Sequence, residues 1–220
     1  MYKIIFATGN AGKMKEIREI LADLPAQILS MKEAGLEADI VEDGKTFEEN
    51  AIIKARAVAQ LAARGTAEVS CAASDQEAAS AENQVVVLAD DSGLEIDWLG
   101  KEPGIYSARY LGEDTSYHIK NANLISRLEG VPPQKRTARF VCAIAAVLPD
   151  GEVCTARGVI EGQIGYEEKG SNGFGYDPIF YLPDRGMTTA ELAPEEKNAV
   201  SHRGEALRAI KKILVERVKG

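Results

Sequence analysis

Two adjacent aspartates, Asp90 and Asp91, follow an apolar run at residues 85–89 that is typical of a strand covered on both faces. In open α/β sheets, ligands collect at the carboxyl ends of such strands. Neighbouring carboxylates repel each other, and Mg²⁺, which prefers one or two protein carboxylates with water and phosphate oxygens, relieves that repulsion. Because successive side chains of an extended segment point to opposite faces, we expect one aspartate to be catalytic and the other structural. The alternative is an Asx-turn that only caps the backbone.

A glycine-containing turn lies between the apolar run at residues 2–7 and a segment with helical periodicity. Glycines let the backbone approach a phosphate, a helix start offers N–H donors, and Lys13 adds a positive charge. The turn is not a Walker A loop, because Ala7 stands where that motif needs glycine and Met14 where it needs Ser or Thr. A plain turn is the alternative. The candidate phosphate-binding residues are Thr8, Gly9, Asn10, Ala11, Gly12 and Lys13.

Two later segments have residue types that suit a nucleotide base. Residues 170–178 place three glycines around Phe174 and Tyr176, which indicates a structured loop whose ring can stack on a base. A tight turn with core rings is the alternative. His202 and Arg203 stand at the start of the last predicted helix, where a histidine is commonly incidental. His118 lies in another predicted helix and is expected to be a surface or packing residue.

The elements that must position these residues alternate between strands and helices. Strands are predicted at residues 2–7, 85–89, 105–110, 140–148 and 153–160, with a hairpin turn at residues 149–151. Helices are predicted after the glycine turn, from Phe47 behind a Thr46–Glu49 capping box, and near His202. Gly65 is expected to end the second helix. This pattern predicts an α/β fold with a mixed sheet, in two lobes around a nucleotide-binding cleft.

Composition excludes several classes of protein. The net charge of −8 argues against a protein that grips nucleic acid through its phosphates. The apolar runs are too short to cross a bilayer, so no membrane partner is expected. Three cysteines without paired spacing make neither a disulfide framework nor a zinc site. With no signal peptide visible, we expect a cytoplasmic protein.

Six segments occur in the order and approximate spacing of one enzyme family: TGNAGK, TFEENAIIKA, ADDSGL, PGIYSARY, GFGYDPIF and SHRG. From Lys3 to about Leu214 the chain resembles the inosine/xanthosine triphosphate pyrophosphatases, which act on noncanonical purine nucleotides. The resemblance implies a single pyrophosphatase domain over residues 1–220 with an elongated mixed sheet flanked by helices. Residues 65–84, rich in Ala, Ser and acidic residues, are then an inserted loop or a helix extension.

The resemblance also implies an activity and its cofactor. ITP, dITP and XTP would be hydrolysed to the monophosphate and pyrophosphate by a Mg²⁺-dependent homodimer. Asp91 would be the proton acceptor and a metal ligand, and Ser92 would contact the substrate. Many members have two consecutive glutamates where this chain has Val41 and Glu42. Either Glu42 is the second metal ligand, or the metal relies on Asp91, water and phosphates.

The remaining implied contacts concern the two ends of the substrate. The residues from Thr8 to Lys13 would hold the triphosphate, with Lys54 as a second cation. Donors near the base would donate hydrogen bonds to the C6 carbonyl of inosine and xanthosine, whereas the amino group of adenine would leave them unpaired. The residues expected at the base are Phe174, Gly175, Tyr176, Asp177, Lys197, His202 and Arg203.

Two other functions remain open from the sequence. A Maf-like nucleotide pyrophosphatase of different specificity is the nearest, although the SHRG and GFGYDP segments argue against it. A nucleotide sensor that binds without turnover is the other, and the paired aspartates argue against that.

Overall fold

The structure, a computed structural model, describes residues 2–70 and 84–217. These residues form five α-helices, several short 3₁₀ turns and seven strands. The strands are β1 (Tyr2–Phe6), β2 (Ala26–Ser30), β3 (Val85–Ile96), β4 (Thr137–Val147), β5 (Val153–Ile164), β6 (Phe180–Leu182) and β7 (Met187–Thr188). The helices are α1 (Ala11–Ile20), α2 (Phe47–Ser70), α3 (Tyr117–Arg127), α4 (Pro194–Val200) and α5 (His202–Arg217).

All seven strands belong to one sheet of order β2-β1-β3-β4-β5-β6-β7. Strand β1 pairs in parallel with β2 and β3, whereas β6 pairs antiparallel with β5 and β7. The predicted α/β fold with a mixed sheet is therefore confirmed. Among the described residues, no helix has the length and apolar character needed to span a membrane.

The chain divides into two compact units. Unit 1 contains the described residues up to Asp91, Ala143–Ala156 and the described residues from Leu207 onward. Unit 2 contains Ser92–Cys142 and Arg157–Ala206. Several buried apolar side chains form the core of unit 1, among them Ile4, Phe6, Ile17 and Leu88. The core of unit 2 includes Leu94, Ile96, Leu124, Phe140, Ile179 and Phe180.

Local sequence signals predicted several of these boundaries. Helix α2 begins at Phe47, and the Oγ1 atom of Thr46 accepts a hydrogen bond from the Glu49 N–H at 3.1 Å. The Glu49 carboxylate accepts from the Lys45 N–H rather than from that of Thr46, so only half of the predicted capping box is made. The hairpin turn is also found, with the Leu148 N–H donating to the Glu152 carbonyl at 2.9 Å.

The strand predicted at residues 105–110 is wrong. Gly104–Tyr106 form a 3₁₀ turn, and the chain keeps turning beyond it. The Ser107 N–H donates to the Gly104 carbonyl and the Arg109 N–H to the Tyr106 carbonyl, both at 3.0 Å. Because these local bonds use the backbone donors, no ladder with a neighbouring strand forms here.

Three elements continue beyond their predicted ends, one of them β5, which runs to Ile164 instead of residue 160. Strand β3 does not stop at Ala89 but runs to Ile96, since Leu94 and Ile96 are fully buried on either side of a partly exposed Glu95. Helix α2 does not stop at Gly65 but runs to Ser70, because one glycine costs only about 1 kcal/mol among good helix formers. Of the segment predicted as a loop or helix extension, residues 65–70 are thus helical, and residues 71–83 lie outside the described residues.

Candidate functional site

The turn between β1 and α1 is shaped by its own side chains. Asn10 is the N-cap of α1, and its Oδ1 atom accepts from the Lys13 N–H at 3.0 Å. Its backbone N–H donates to the Thr8 Oγ1 atom at 3.2 Å. The first turn of α1 contains no acidic residue, and Gly9 and Ala11 are exposed. No carboxylate of the first turn itself therefore competes with an anion for the first amides of this helix.

The paired aspartates lie inside β3, which excludes the Asx-turn alternative, and their side chains have different partners. The Asp90 carboxylate, only 1% exposed, forms an ion pair with Lys13 of α1 at 2.9 Å. The Asp91 carboxylate accepts a hydrogen bond from the Asn50 Nδ2 atom of α2 at 3.0 Å. This difference is what the alternation of side chains along a strand predicts.

Glu42 and Asp91 both lie near the ammonium group of Lys54. The Lys54 Nζ atom is 3.3 Å from the Glu42 carboxylate and 3.8 Å from that of Asp91. Burial raises the pKa of Asp91 above its ordinary value, and the nearby Lys54 ammonium and the Asn50 amide offset only part of that effect. Val41 is 75% exposed and offers no ligand atom from its side chain.

Asn50 is a site residue that the sequence analysis did not single out. It is fully buried, and its Oδ1 atom accepts from the Gly44 N–H at 2.9 Å while its Nδ2 atom donates to Asp91. A sequence signal existed: the apolar face of α2 contains Phe47, Ala51 and Ala55, and Asn50 interrupts it with an amide. A buried amide that satisfies both its oxygen and its nitrogen fixes the carboxylate it touches.

The carboxylates of unit 1 fit a magnesium ion. Within residues 2–70 and 84–217, no group of three or more His, Cys, Asp or Glu side chains is arranged to hold a metal. Mg²⁺ needs only one or two protein carboxylates, because water and phosphate oxygens complete its shell. Asp91 and Glu42 supply hard oxygen ligands, and the local excess of three carboxylates over two ammonium groups favours a cation.

In unit 2, Asp177 organises the glycine-rich loop at residues 170–178. Its buried carboxylate accepts from the Phe174 N–H at 2.8 Å, from the Lys197 Nζ atom at 2.5 Å and from the Thr189 Oγ1 atom at 2.9 Å. Gly173 has a φ of +75°, and a Cβ atom there would lie 2.2 Å from the Asp177 Oδ2 atom. The predicted loop therefore exists as a fixed structure that requires glycine at this point.

Phe174 presents a partly exposed ring beside two cations. The Lys197 Nζ atom is 5.0 Å and the Arg203 Cζ atom 5.4 Å from the ring centroid. The His202 ring is buried and stacks on Phe140, with centroids 4.9 Å apart. These side chains combine an aromatic face with hydrogen-bond donors, which is the chemistry that a purine base with carbonyl groups requires.

Tyr176 supports this loop from within the core. It is 4% exposed, its hydroxyl donates to the Ser107 carbonyl at 2.7 Å, and its ring meets Tyr117 edge-on at 5.2 Å. Burial raises the pKa of the Tyr176 hydroxyl. Gly175, next to it, is partly buried. His118 is a surface residue, as expected, and its Nδ1 atom lies 2.6 Å from Glu168.

The predicted site residues thus form one group in each unit. In unit 1 the structure brings together Lys13 with Asp90, and Lys54 with Glu42 and Asp91. In unit 2 it brings together Phe174, Asp177, Lys197 and Arg203. Ser92, the first residue of unit 2, follows Asp91 directly along β3 and is partly buried.

The fold and these two groups define a class: mixed α/β proteins with a glycine turn before a helix, an aspartate pair within a strand and an aromatic loop beside cations. The model of the Ham1 family matches residues 4–213, and the chain belongs to this family. The resemblance stated from the sequence motifs is therefore confirmed.

Individual relatives cover nearly the whole chain. A dITP/XTP pyrophosphatase of Clostridium perfringens is 45% identical over 212 residues, which cover 96% of both chains. One of Bacillus subtilis is 44% identical over 214 residues, or 97% of this chain and 98% of the relative. Among solved structures, a HAM1 protein from Coxiella burnetii aligns with a TM-score of 0.79 at 39% identity, covering 98% of this chain and 100% of that one. The Staphylococcus aureus Ham1 protein gives 0.77 at 37% identity, covering 97% and 98%.

Proposed function

We propose that this chain is a nucleoside triphosphate pyrophosphohydrolase that converts the noncanonical purine nucleotides dITP, ITP and XTP to the monophosphate and pyrophosphate. The observation that carries the proposal is the fixed Asp91 carboxylate, which Asn50 and Lys54 hold beside Glu42. The names of the relatives, which match over 96% or more of this chain, support the same activity.

The triphosphate is bound by unit 1. Amides at the start of α1 and the ammonium group of Lys13 face negative phosphate oxygens, while Lys54 adds a second positive charge. Asp90 holds Lys13 by a buried ion pair, so this ammonium group is already oriented before substrate binds. Gly9, where a Cβ atom would have no neighbour within 4 Å, leaves the backbone open to the phosphates.

Asp91 directs the water that attacks the α-phosphorus. It accepts a proton from that water as the new P–O bond forms, and the bond from the α-phosphorus to the bridging oxygen breaks with pyrophosphate as the leaving group. Asp91 and Glu42 would hold Mg²⁺. When it is bound, this ion would neutralise negative charge on the phosphates. Asn50 keeps the Asp91 carboxylate in one orientation throughout.

The base is selected in unit 2. Its purine ring stacks on Phe174, and its C6 carbonyl accepts from donors of His202, Arg203, Lys197 or the loop backbone. Adenine presents an amino group at C6, which would leave those buried donors unsatisfied. Asp177 acts by fixing the loop and Lys197, and Tyr176 and Gly175 shape the same loop from its inner side.

The proposal includes a homodimer, dependence on Mg²⁺ and a cytoplasmic location, where the nucleotide pool is found. Light scattering of the purified chain tests the first of these, since a homodimer has twice the 23.7 kDa mass of the chain. A monomer at micromolar concentration would contradict the proposed assembly without affecting the proposed reaction.

Hydrolysis of ITP in H₂¹⁸O tests the position of attack. We expect one ¹⁸O atom in the monophosphate and none in pyrophosphate, because the water oxygen bonds to the α-phosphorus. Label in pyrophosphate would mean attack at the β-phosphorus. Release of labelled inorganic phosphate would mean attack at the terminal phosphorus, and either result would contradict the mechanism.

A further inference from the structure

Gly158, in the middle of β5, lies directly against the first turn of α5. A Cβ atom at this position would be 2.1 Å from the His202 carbonyl oxygen and 2.7 Å from the Ala206 nitrogen. Both neighbours are backbone atoms, so no side chain can rotate away to make room. Only a residue without a side chain allows the helix backbone to pack this closely on the strand.

Glu205 fastens the same helix turn to the same strand. Its carboxylate accepts from the Val159 N–H at 2.9 Å. Strand β6 pairs with β5 only at Gln163 and Ile164, so this part of the β5 edge is bonded by the side chain of α5 instead of by β6. A hydrogen bond to a charged acceptor is stronger than one to a neutral acceptor. Glu205 is therefore suited to hold α5 against β5.

The position of this helix turn determines where three base-binding side chains lie. His202 and Arg203 are its first residues, and Ser201 alone separates it from α4, which ends with Lys197 in its last turn. The Ser201 N–H donates to the Lys197 carbonyl at 2.8 Å, and the Ser201 hydroxyl accepts from the Gly204 N–H at 3.1 Å. A displacement of α5 at Gly158 is therefore transmitted to all three side chains.

We propose that Gly158 and Glu205 are positioning residues for base recognition: the close contact between β5 and α5 sets the register of His202, Arg203 and Lys197 against the purine. The inference rests on the proposed function, because it takes these side chains to contact the base. Gly158 contacts the backbone of α5 and Glu205 bonds to Val159, so both would act on the base through other residues. Both residues and the three side chains belong to unit 2, so the expected effect is on recognition of the base rather than of the phosphates.

Substitution of Gly158 tests this role. Restoring an ordinary contact in Gly158→Ala requires a shift of about 1 Å in the helix backbone, and misplacement on that scale can lower activity by about 100-fold. We expect the ratio of kcat/KM for ITP over ATP to fall by about 10- to 100-fold, mainly through a higher KM for ITP.

Glu205→Ala should lower the ratio by several-fold, and Glu205→Gln, whose amide oxygen still accepts from Val159, should restore it. Glu216→Ala, at an exposed site near the end of α5, is the matched control.

Product binding separates a local effect from general damage. Calorimetry with IMP and with pyrophosphate should show weaker IMP binding in Gly158→Ala and unchanged pyrophosphate binding, because only IMP contains the base. Equal weakening of both products, or unchanged selectivity in a folded Gly158→Ala variant, would overturn the inference. If Gly158→Ala does not fold, the comparison of Glu205→Ala with Glu205→Gln decides, and equal selectivity in the two overturns it. If the wild-type protein does not hydrolyse ITP, that result would overturn the proposed function and the inference that depends on it.

Discussion

Asp91 and Asp90 are neighbours in sequence whose carboxylates have different partners. The buried carboxylate of Asp90 forms an ion pair with Lys13, which makes it a structural partner of the turn between β1 and α1. Asp91 is held by a neutral amide and lies 3.8 Å from the Lys54 ammonium group. The Asn50 amide keeps the Asp91 carboxylate oriented, and the ion pair with Lys54 is too long to neutralise its charge. A group that accepts a proton needs both properties.

Asp91→Asn removes the proposed proton acceptor and keeps the shape of the side chain. We expect kcat for ITP to fall by about 10²- to 10⁴-fold, the usual contribution of a general base, while nucleotide binding survives. Stopped-flow release of pyrophosphate and calorimetry with ITP measure the two effects. Asp23→Asn, which removes an exposed partner of Lys211, is the control and should be as active as wild type. Activity of Asp91→Asn within tenfold of wild type would assign catalysis to another group.

Asn50 is expected to act through Asp91. In Asn50→Ala the Asp91 carboxylate loses its donor and the Gly44 N–H loses its acceptor, so kcat should fall by about 10- to 100-fold. Asn50→Asp keeps an acceptor for Gly44 but sets two buried carboxylates face to face, and should be less active still. Steady-state kinetics and thermal unfolding of both variants are the measurements. If activity falls only in proportion to the folded fraction, Asn50 has no orienting role.

At the scale of elements, α2 presents both Asn50 and Lys54 from its first two turns. Its start is fixed by the Thr46 hydroxyl, which satisfies one N–H of the first turn. The conformation of the first turn of α2 therefore determines the position of Asn50, because Asn50 lies four residues beyond the cap.

Thr46→Ala should destabilise the fold by about 1 kcal/mol, the usual effect of losing an N-cap side chain. Urea unfolding followed by circular dichroism measures the change. Thr46→Ser retains the hydroxyl and should recover most of the loss. An unfolding free energy equal to that of wild type in Thr46→Ala would show that another group caps the helix.

Sequence predicted the elements whose signals are local. The Asn10 turn and the Thr46 cap each depend on residues within three positions of one another, and both were found where expected. The end of β3 was predicted wrongly. Leu94 and Ile96 are buried by residues far away in the sequence, and the periodicity of a short segment does not reveal such contacts. The turn at Gly104–Tyr106 was mistaken for a strand because its residue types also suit one.

Contacts between residues far apart in the sequence explain what was missed in the site. Asn50 meets Asp91 across 41 positions, and Gly158 meets His202 across 44. Contacts over such separations cannot be read from one sequence, so neither Asn50 nor Gly158 was given a role, although their partners were predicted site residues. The motifs Asp90-Asp91 and residues 170–178 were identified from chemistry alone, and their individual roles stay predictions.

At the scale of the molecule, the two compact units contain different groups of candidate site residues. Unit 1 contains the cations and carboxylates that suit a polyphosphate with its metal, and unit 2 contains the aromatic ring and donors that suit a purine. Variants in unit 1 should therefore change turnover, and variants in unit 2 should change the choice of base.

Metal removal tests the part of this assignment that concerns unit 1. After chelation with EDTA and desalting, we expect ITP turnover to be abolished and then restored by millimolar Mg²⁺, because two carboxylates and the triphosphate otherwise repel each other. Pyrophosphate release is the readout, and Glu42→Gln should raise the Mg²⁺ concentration needed for half-maximal rate. Full activity in chelated protein would exclude the metal-dependent mechanism.

The most direct test of the central claim is a panel of nucleotides assayed with Mg²⁺, in which pyrophosphate and phosphate are measured separately. ITP, dITP and XTP should release pyrophosphate at least about 100-fold faster than ATP, because adenine leaves buried donors unsatisfied. GTP, CTP and UTP should also be poor substrates. Fast release of phosphate instead of pyrophosphate, or equal rates for ITP and ATP, would contradict the account.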